Sequence, residues 1–377
     1  MRYRRFGKTA LQMPVLSLGT MRFASAKVAR AVVEKAIACG MRHLETAPAY
    51  GHSEQYIGQA IAQLSTAGSM ARDDLILTTK LTPTMAGGEI SEAIAHSLKR
   101  LQTDYIDCLA IHGINTLEHL AWASERMLKP LLAAKERGWI RHIGFSTHGE
   151  LALILQAIAT KHFDFVNLHY NYFFQRNEAA ITLAHQQDMG VFIISPADKA
   201  GLLYTPSEAL QAACAPYDPL LLNYRWLLGD LRITTLSVGP AVPEELDWPL
   251  QIADRDEPLS VEENRQIDRL NEVQREKLGA DRCAACHQCL PCPEGINIPE
   301  VLRLRNLTVA YEMEAYGRYR YGMFENAGHW FWGRRGDRCT DCGDCLPRCP
   351  EQLDIPALLR DTHRRLKGQE RRRLWGD

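Results

Sequence analysis

Hydrophobic residues in the first two thirds of the chain fall into two alternating patterns. Short apolar runs of strand length occur at 15–18, 43–45, 75–79, 106–111, 142–145, 165–169, 191–194 and 235–238. Between them lie segments such as AKVARAVVEKAIACG, SEQYIGQAIAQL and EISEAIAHSLKRLQ, with apolar positions three and four apart. That spacing paints one face of a helix. Near-continuous apolar runs suit strands covered on both faces, the habit of parallel sheets. Eight strand–helix units in about 250 residues predict an α/β protein built as a (β/α)8 TIM barrel. A doubly wound sheet usually stops at five or six strands, and no GxGxxG follows the first strand here.

Ahead of the first barrel strand, RYRRFGKTALQMP reads as two extended pieces turning at Gly7, a hairpin placed to close the bottom of the barrel. After the last barrel helix, IADRDEPLS is polar and carries a proline, so a linker is expected. VEENRQIDRLNEVQREKLG then predicts a charged amphipathic helix leading into a cysteine-rich tail. The expected division is a barrel over 1–258 and a small α-helical, cysteine-rich domain over 259–377, and a chain of 377 residues favours two cores over one. No internal repeat or low-complexity tract stands out.

Composition narrows the partners. With a net charge of −1 and 24% charged residues, the chain has no cationic excess for nucleic acid or an anionic membrane. The basic run KGQERRRLWGD reads as the end of a surface helix. No stretch approaches the roughly 18 apolar residues of a membrane span. The amino-terminal segment has no apolar core or small-residue cleavage site of a secretory signal. A cytoplasmic location is expected, with no membrane insertion.

Of 11 cysteines, Cys39, Cys108 and Cys214 are scattered, whereas eight cluster near the carboxyl end. CAACHQCLPCP supplies Cys283, Cys286, Cys289 and Cys292; CTDCGDCLPRCP supplies Cys339, Cys342, Cys345 and Cys349. Clustered cysteines without secretory features point to metal rather than disulfides. Zinc sites usually draw on separated C-x2-C pairs, so four cysteines in about ten residues favour iron–sulfur chemistry. The second run resembles the bacterial ferredoxin pattern C-x2-C-x2-C-x3-C-P in full; the first is one residue short at its last gap. That resemblance implies two [4Fe–4S] clusters, with the fourth cysteine of each run ligating the other cube. One cluster would then take Cys283, Cys286, Cys289 and Cys349, and the other Cys339, Cys342, Cys345 and Cys292. The tyrosine-rich segment between the runs is helical in period and resembles α-helical ferredoxin modules. The aromatic stretch HWFWGRRGD is expected to pack over a cluster and exclude water.

Barrel enzymes carry their chemistry at the carboxyl ends of the strands. Glu45 and Tyr50 follow the second barrel strand, Lys80 the third and His112 the fourth. Each alone reads as an ordinary polar residue at a strand end; four together read as a site. RYRRFGKTALQMPVLSLGTMRF, LETAPAYGHSEQYIG, LILTTKL, SLKRLQTDYIDCLAIHG and GWIRHIGFSTH resemble, in order, motifs of the aldo/keto reductases, here of an iron–sulfur branch. The resemblance implies that Glu45, Tyr50, Lys80 and His112 form that family's catalytic tetrad, with Glu45 standing where the family has aspartate. Tyrosine, with an ordinary pKa of about 10, would protonate the alkoxide left by hydride transfer. Lys80 would tune it, Glu45 would hold Lys80, and His112 would orient the substrate oxygen.

The same resemblance places Ser146 and Asn167 at the nicotinamide carboxamide, with Tyr170 beside them and Ser195 and Lys199 near the pyrophosphate. The segment SVGPAVPEELDWPL corresponds to the grip on the adenosine 2′-phosphate, yet it holds Glu244 and Glu245 and no lysine or arginine. NADP(H), NAD(H) and no dinucleotide at all are therefore all open. Function is expected to be that of an iron–sulfur oxidoreductase acting on a small carbonyl or alcohol-type molecule. The alternative is a redox-sensing or electron-carrying protein whose barrel binds a ligand without turnover. Hydride moves two electrons and a cluster one, so electron traffic between them needs a flavin or a redox partner protein. No flavin motif is visible in the chain.

Overall fold

The apolar runs form the strands their pattern requires. The computed structural model describes residues 1–68, 70–197 and 199–369, except for the side chains of 199–201. The Lys199 side chain and most of the basic carboxyl-terminal run, 370–377, thus lie outside the described residues. Strands β1 (Tyr3–Arg5) and β2 (Gln12–Pro14) pair antiparallel, and eight further strands close a parallel barrel. These are β3 (Leu16–Gly19), β4 (His43–Glu45), β5 (Ile76–Leu81), β6 (Ile106–His112), β7 (Ile140–Ser146), β8 (Phe165–His169), β9 (Gly190–Ile194) and β10 (Thr235–Val238). The ring closes where β10 pairs with β3.

The β1–β2 hairpin shuts the amino-terminal end of the barrel. Phe6 and Met13 pack with Cys108, Phe165 and Phe192 in one buried cluster. Two glycines permit the fit. A Cβ on Gly7, whose φ is +53°, would lie 2.4 Å from the Asp188 carbonyl oxygen, and one on Gly190 would lie 2.3 Å from the Phe6 ring. Above this plug the interior turns polar. His43 shares hydrogen bonds with Ser17 Oγ (2.6 Å) and Thr78 Oγ1 (2.7 Å), and Ser17 with Thr235 (2.6 Å). Burial, with Lys80 nearby, pushes the His43 pKa down to about 3, so its imidazole is neutral.

The expected linker is fastened rather than slack. Buried Arg225 donates to the carbonyls of Arg255, Glu257 and Pro258, and Arg4 donates to that of Asp256. The chain divides into two compact units, 1–199 with 223–258, and 200–222 with the residues from 259 onward. Residues 200–222, assigned by pattern to the barrel, group with the tail because helix Glu208–Cys214 packs on helices Val261–Leu278 and Ile298–Tyr311. Ser207 Oγ donates to the Tyr311 carbonyl and Gln266 to that of Ala213. Val261–Leu278 starts at a capping box made by Ser260 and Glu263. No helix among the described residues is long and apolar enough to cross a membrane.

An internal repeat, unexpected from the sequence reading, shapes the tail. CPEGINIPEVLR (292–303) and CPEQLDIPALLR (349–360) adopt the same local structure. In each, Asn297 or Asp354 caps a helix by accepting from the backbone three residues on, with proline in the first turn. The cysteine runs match as well, with positive φ at Ala285 and His287 in one and at Asp341 and Gly343 in the other. The repeat escapes a search by composition because it is short and its capping and apolar positions are substituted.

Candidate active site and cysteine recesses

Glu45, Tyr50, Lys80 and His112 converge at the carboxyl-terminal mouth of the barrel. Lys80 and Glu45 are both buried and in direct contact through Nζ and Oε1. Nζ also donates to the Tyr50 hydroxyl (3.0 Å) and the Thr46 carbonyl (2.9 Å). The extra methylene of Glu45 therefore does not cost the contact with Lys80. The His112 ring stands edge-on to Tyr50, with centroids 5.9 Å apart at 87°. Burial holds the Lys80 amine well below the ordinary lysine range. The touching carboxylate is what steadies its proton.

Residues that the sequence reading did not single out fix the loop carrying Tyr50. Ser53 Oγ donates to Thr20 Oγ1 (2.7 Å) and accepts from Thr46 (3.0 Å), and Thr20 donates to the Glu45 carbonyl (3.0 Å). Buried Glu54 accepts from Thr79 (2.7 Å) and from Arg100 (2.6 Å), tying helix Ser53–Thr66 to β5 one residue before Lys80. Their signal in the sequence is the Ser-Glu pair that opens the helix after Tyr50.

The proposed cofactor positions divide. His112, Ser146 and Asn167 are neighbours in register across β6, β7 and β8. Ser146 Oγ accepts from the Gly113 amide (3.1 Å). Asn167 is fully buried, and neither its amide oxygen nor its amide nitrogen has a hydrogen-bond partner. Such a group wants a ligand that both donates and accepts, as a primary carboxamide does. Ser195, just past β9, holds φ at +52°, a conformation uncommon outside glycine and frequent at ligand-binding turns. Tyr170 stands one residue past the end of β8. Its ring stacks on Trp226 of helix Pro219–Leu228, with centroids 5.2 Å apart, and burial there raises its hydroxyl pKa. After β10, Glu245 pairs with Arg22 (2.6 Å) and accepts from the Ala241 amide (2.9 Å), so a carboxylate already occupies that arginine.

In the tail, the eight cysteines surround two recesses. One is lined by Cys283, Cys286, Cys289 and Cys349, the other by Cys292, Cys339, Cys342 and Cys345. The crossing follows from the repeat, since each recess takes three cysteines from one run and the Cys-Pro cysteine of the other. Apolar residues from both repeats complete the walls, among them Pro299, Leu302 and Ile355 in one and Ile298, Pro356 and Leu359 in the other. Residues of HWFWGRRGD line neither recess. Phe331 packs instead on Phe324 and under the Arg320 guanidinium. Burial pushes the Cys283 thiol up to about 11 and Cys289 to about 12, so ionised sulfur there requires a cationic centre. Among the described residues, no three His, Cys, Asp or Glu side chains gather as a site for a single metal ion would require. Four thiols spread around a recess suit the corners of a cube.

Comparison with known proteins follows the same division. The profile of the aldo/keto reductase family matches residues 15–272. The chain belongs to this family. A 4Fe-4S dicluster domain matches residues 282–353, so this aldo/keto reductase carries an iron–sulfur module at its carboxyl end. It is 30% identical over 249 residues to an aldo-keto reductase of Mycobacterium avium, covering 63% of this chain and 80% of that one. It is 33% identical over 150 residues to methylglyoxal reductase DkgB of Salmonella typhimurium, covering 40% of this chain and 53% of that one. An aldo-keto reductase of Bacillus halodurans in its holo form superimposes with a TM-score of 0.62 at 23% identity, over 71% of this chain and 95% of that one. An aldo-keto reductase of Klebsiella pneumoniae in complex with NADPH gives 0.59 at 24% identity, over 71% and 94%. These likenesses bear out the barrel, the helical iron–sulfur tail and membership of an oxidoreductase family.

Proposed function

We propose that the chain reduces a small carbonyl compound, or oxidises the corresponding alcohol, at the mouth of the barrel, using a nicotinamide dinucleotide and carrying two [4Fe–4S] clusters in the tail. The observation that carries the reading is the Tyr50–Lys80–Glu45 array: a phenol hydrogen-bonded to a buried amine that itself touches a buried carboxylate. The ammonium favours the phenolate, and so makes Tyr50 a usable acid at neutral pH. Glu45 and the Thr46 carbonyl fix the amine, so only the phenolic proton points toward substrate. His112 donates to the substrate oxygen and aligns the carbonyl for attack. In the reducing direction, the Tyr50 hydroxyl gives its proton to the alkoxide oxygen, and Lys80 stabilises the phenolate left behind.

A bound dinucleotide would supply the hydride. The orphaned amide of Asn167 fits its carboxamide, with Ser146 beside it in register on the neighbouring strand, while Ser195 and Lys199 would meet the pyrophosphate. The cysteine recesses fit iron–sulfur cubes, Cys283, Cys286, Cys289 and Cys349 holding one and Cys292, Cys339, Cys342 and Cys345 the other. Single electrons passing through them would need a flavin or a redox partner protein to meet the two-electron step. The test is anaerobic reconstitution followed by NADH or NADPH with a panel of aldehydes and quinones. Cofactor oxidation that is abolished in Tyr50→Phe supports the reading. Clusters that titrate reversibly, with no dinucleotide bound, would instead favour an electron carrier.

A further inference from the structure

Strands β8 and β9 end level with each other. His169 is in register with Ile194, so the loops that leave the two strands begin side by side at Tyr170 and Ser195. Asn167, with its unpartnered amide, lies two residues before the end of β8. The first loop is a built turn. Asn171 and Phe174 exchange backbone hydrogen bonds (3.2 and 2.9 Å), and Asn171 Oδ1 accepts from the Phe173 amide (2.9 Å). Asn177 Nδ2 closes the turn by donating to the His169 carbonyl (2.9 Å). The second loop opens on Ser195 at φ +52°, a conformation that persists only where its surroundings hold it.

One side chain joins the two loops. Asn223, on helix Pro219–Leu228, is buried; its Oδ1 accepts from the Tyr172 amide (3.0 Å) and its Nδ2 donates to the Pro196 carbonyl (2.7 Å). Trp226 follows three residues later, on the same side of the helix. It stacks on Tyr170 (5.2 Å, 29°) and meets Tyr172 edge-on (5.8 Å, 82°). Packing a helix on a barrel asks only for apolar bulk, and leucine would supply it. An amide is what two loops with opposite needs require, since one offers an N–H and the other a carbonyl. Without it both backbone groups would stand unpaired in the interior.

We propose that Asn223 is a positioning residue for the dinucleotide, locking the loops after β8 and β9 into their ligand-ready shape before the cofactor arrives. It acts through the Ser195 turn, assigned to the pyrophosphate, and through the Tyr170–Tyr172 segment next to Asn167. This rests on the reductase reading and adds to it what sets cofactor affinity. The gain is preorganisation: loops already fixed lose less freedom on binding.

Two variants of the reconstituted full chain test it. Asn223→Asp, ionised, keeps the acceptor for the Tyr172 amide and loses the donor to Pro196; Asn223→Leu loses both. Fluorescence titration with NADH and NADPH should show Kd weakened about tenfold in Asn223→Asp and further in Asn223→Leu. The dinucleotide KM should rise in step, while kcat at saturating dinucleotide falls less than about threefold. A Kd within about twofold of wild type in both variants overturns the proposal. So does a kcat that falls as far as Kd weakens, which would mean a general loosening of the site. If wild type binds no dinucleotide, the reductase reading fails by itself, and hydrogen exchange decides the lock. Faster exchange of 170–176 and 191–197 together in either folded variant sustains it. Unchanged exchange, or a change confined to one loop, sinks it.

Discussion

Replacing Lys80 by methionine probes both the chemistry and the stability of the site. The Lys80 and Glu45 side chains are 2% and 5% exposed, so removing the ammonium strands a carboxylate in the interior. Breaking a buried pair in this way costs about 3–5 kcal/mol, mostly from the uncompensated charge. The Thr46 carbonyl also loses its hydrogen bond from Nζ, and part of its roughly 1–3 kcal/mol desolvation cost adds to the same total. A loss of about 4 kcal/mol is therefore expected for Lys80→Met. Changing Glu45 to glutamine in the same chain removes the stranded charge, so the double variant should lose only about 1–2 kcal/mol. The assay is urea unfolding at neutral pH, followed by tryptophan fluorescence, for wild type, both single variants and the double. Two results would refute the reasoning. One is a Lys80→Met cost below about 1 kcal/mol; the other is a double variant no more stable than Lys80→Met. Either would mean that the Glu45 charge is solvated or absent.

Other expectations are more local. Cys349→Ser should abolish the electron paramagnetic resonance signal of the cluster held by Cys283, Cys286 and Cys289 while the second signal persists, and Cys292→Ser should do the reverse; loss of the same-run signal would contradict the crossed recesses. His43, at about 3 in the folded chain against 6.5 as its ordinary value, contributes stability that is present above pH 6.5 and lost as pH falls toward 3. The loss is at most about 1.4 kcal/mol per pH unit, and urea midpoints between pH 6.5 and 4 should fall less steeply in His43→Asn. Glu245→Gln should release Arg22 and raise the affinity for NADPH relative to NADH by roughly tenfold, measured by fluorescence titration. An unchanged ratio would place the adenosine end elsewhere.

Much of the barrel was legible because its determinants are local. Buried parallel strands declare themselves as apolar runs, and each of the eight lies within two residues of its expected place. Glu45, Tyr50, Lys80 and His112 were legible for a related reason: strand ends in a barrel all face one mouth. What stayed hidden depends on partners far away in the chain. Tyr170 stands one residue beyond β8, and its stacking partner Trp226 comes from a helix about fifty residues later in the chain. The grouping of 200–222 with the tail depends on Ser207 meeting Tyr311, about a hundred residues on. The tail repeat was present in the letters, but its shared features are caps and left-handed turns, which carry little hydrophobic pattern. Asn223 looks like an isolated polar residue in an apolar helix until β8 and β9 lie side by side.

The most direct test of a Tyr50-assisted hydride transfer uses dinucleotide deuterated at the nicotinamide C4 and an aldehyde, under anaerobic conditions. Mass spectrometry of the alcohol should find deuterium on the former carbonyl carbon with wild type, and no labelled alcohol with Tyr50→Phe. Oxidised cofactor without labelled alcohol, accompanied by bleaching of the clusters, would contradict the account.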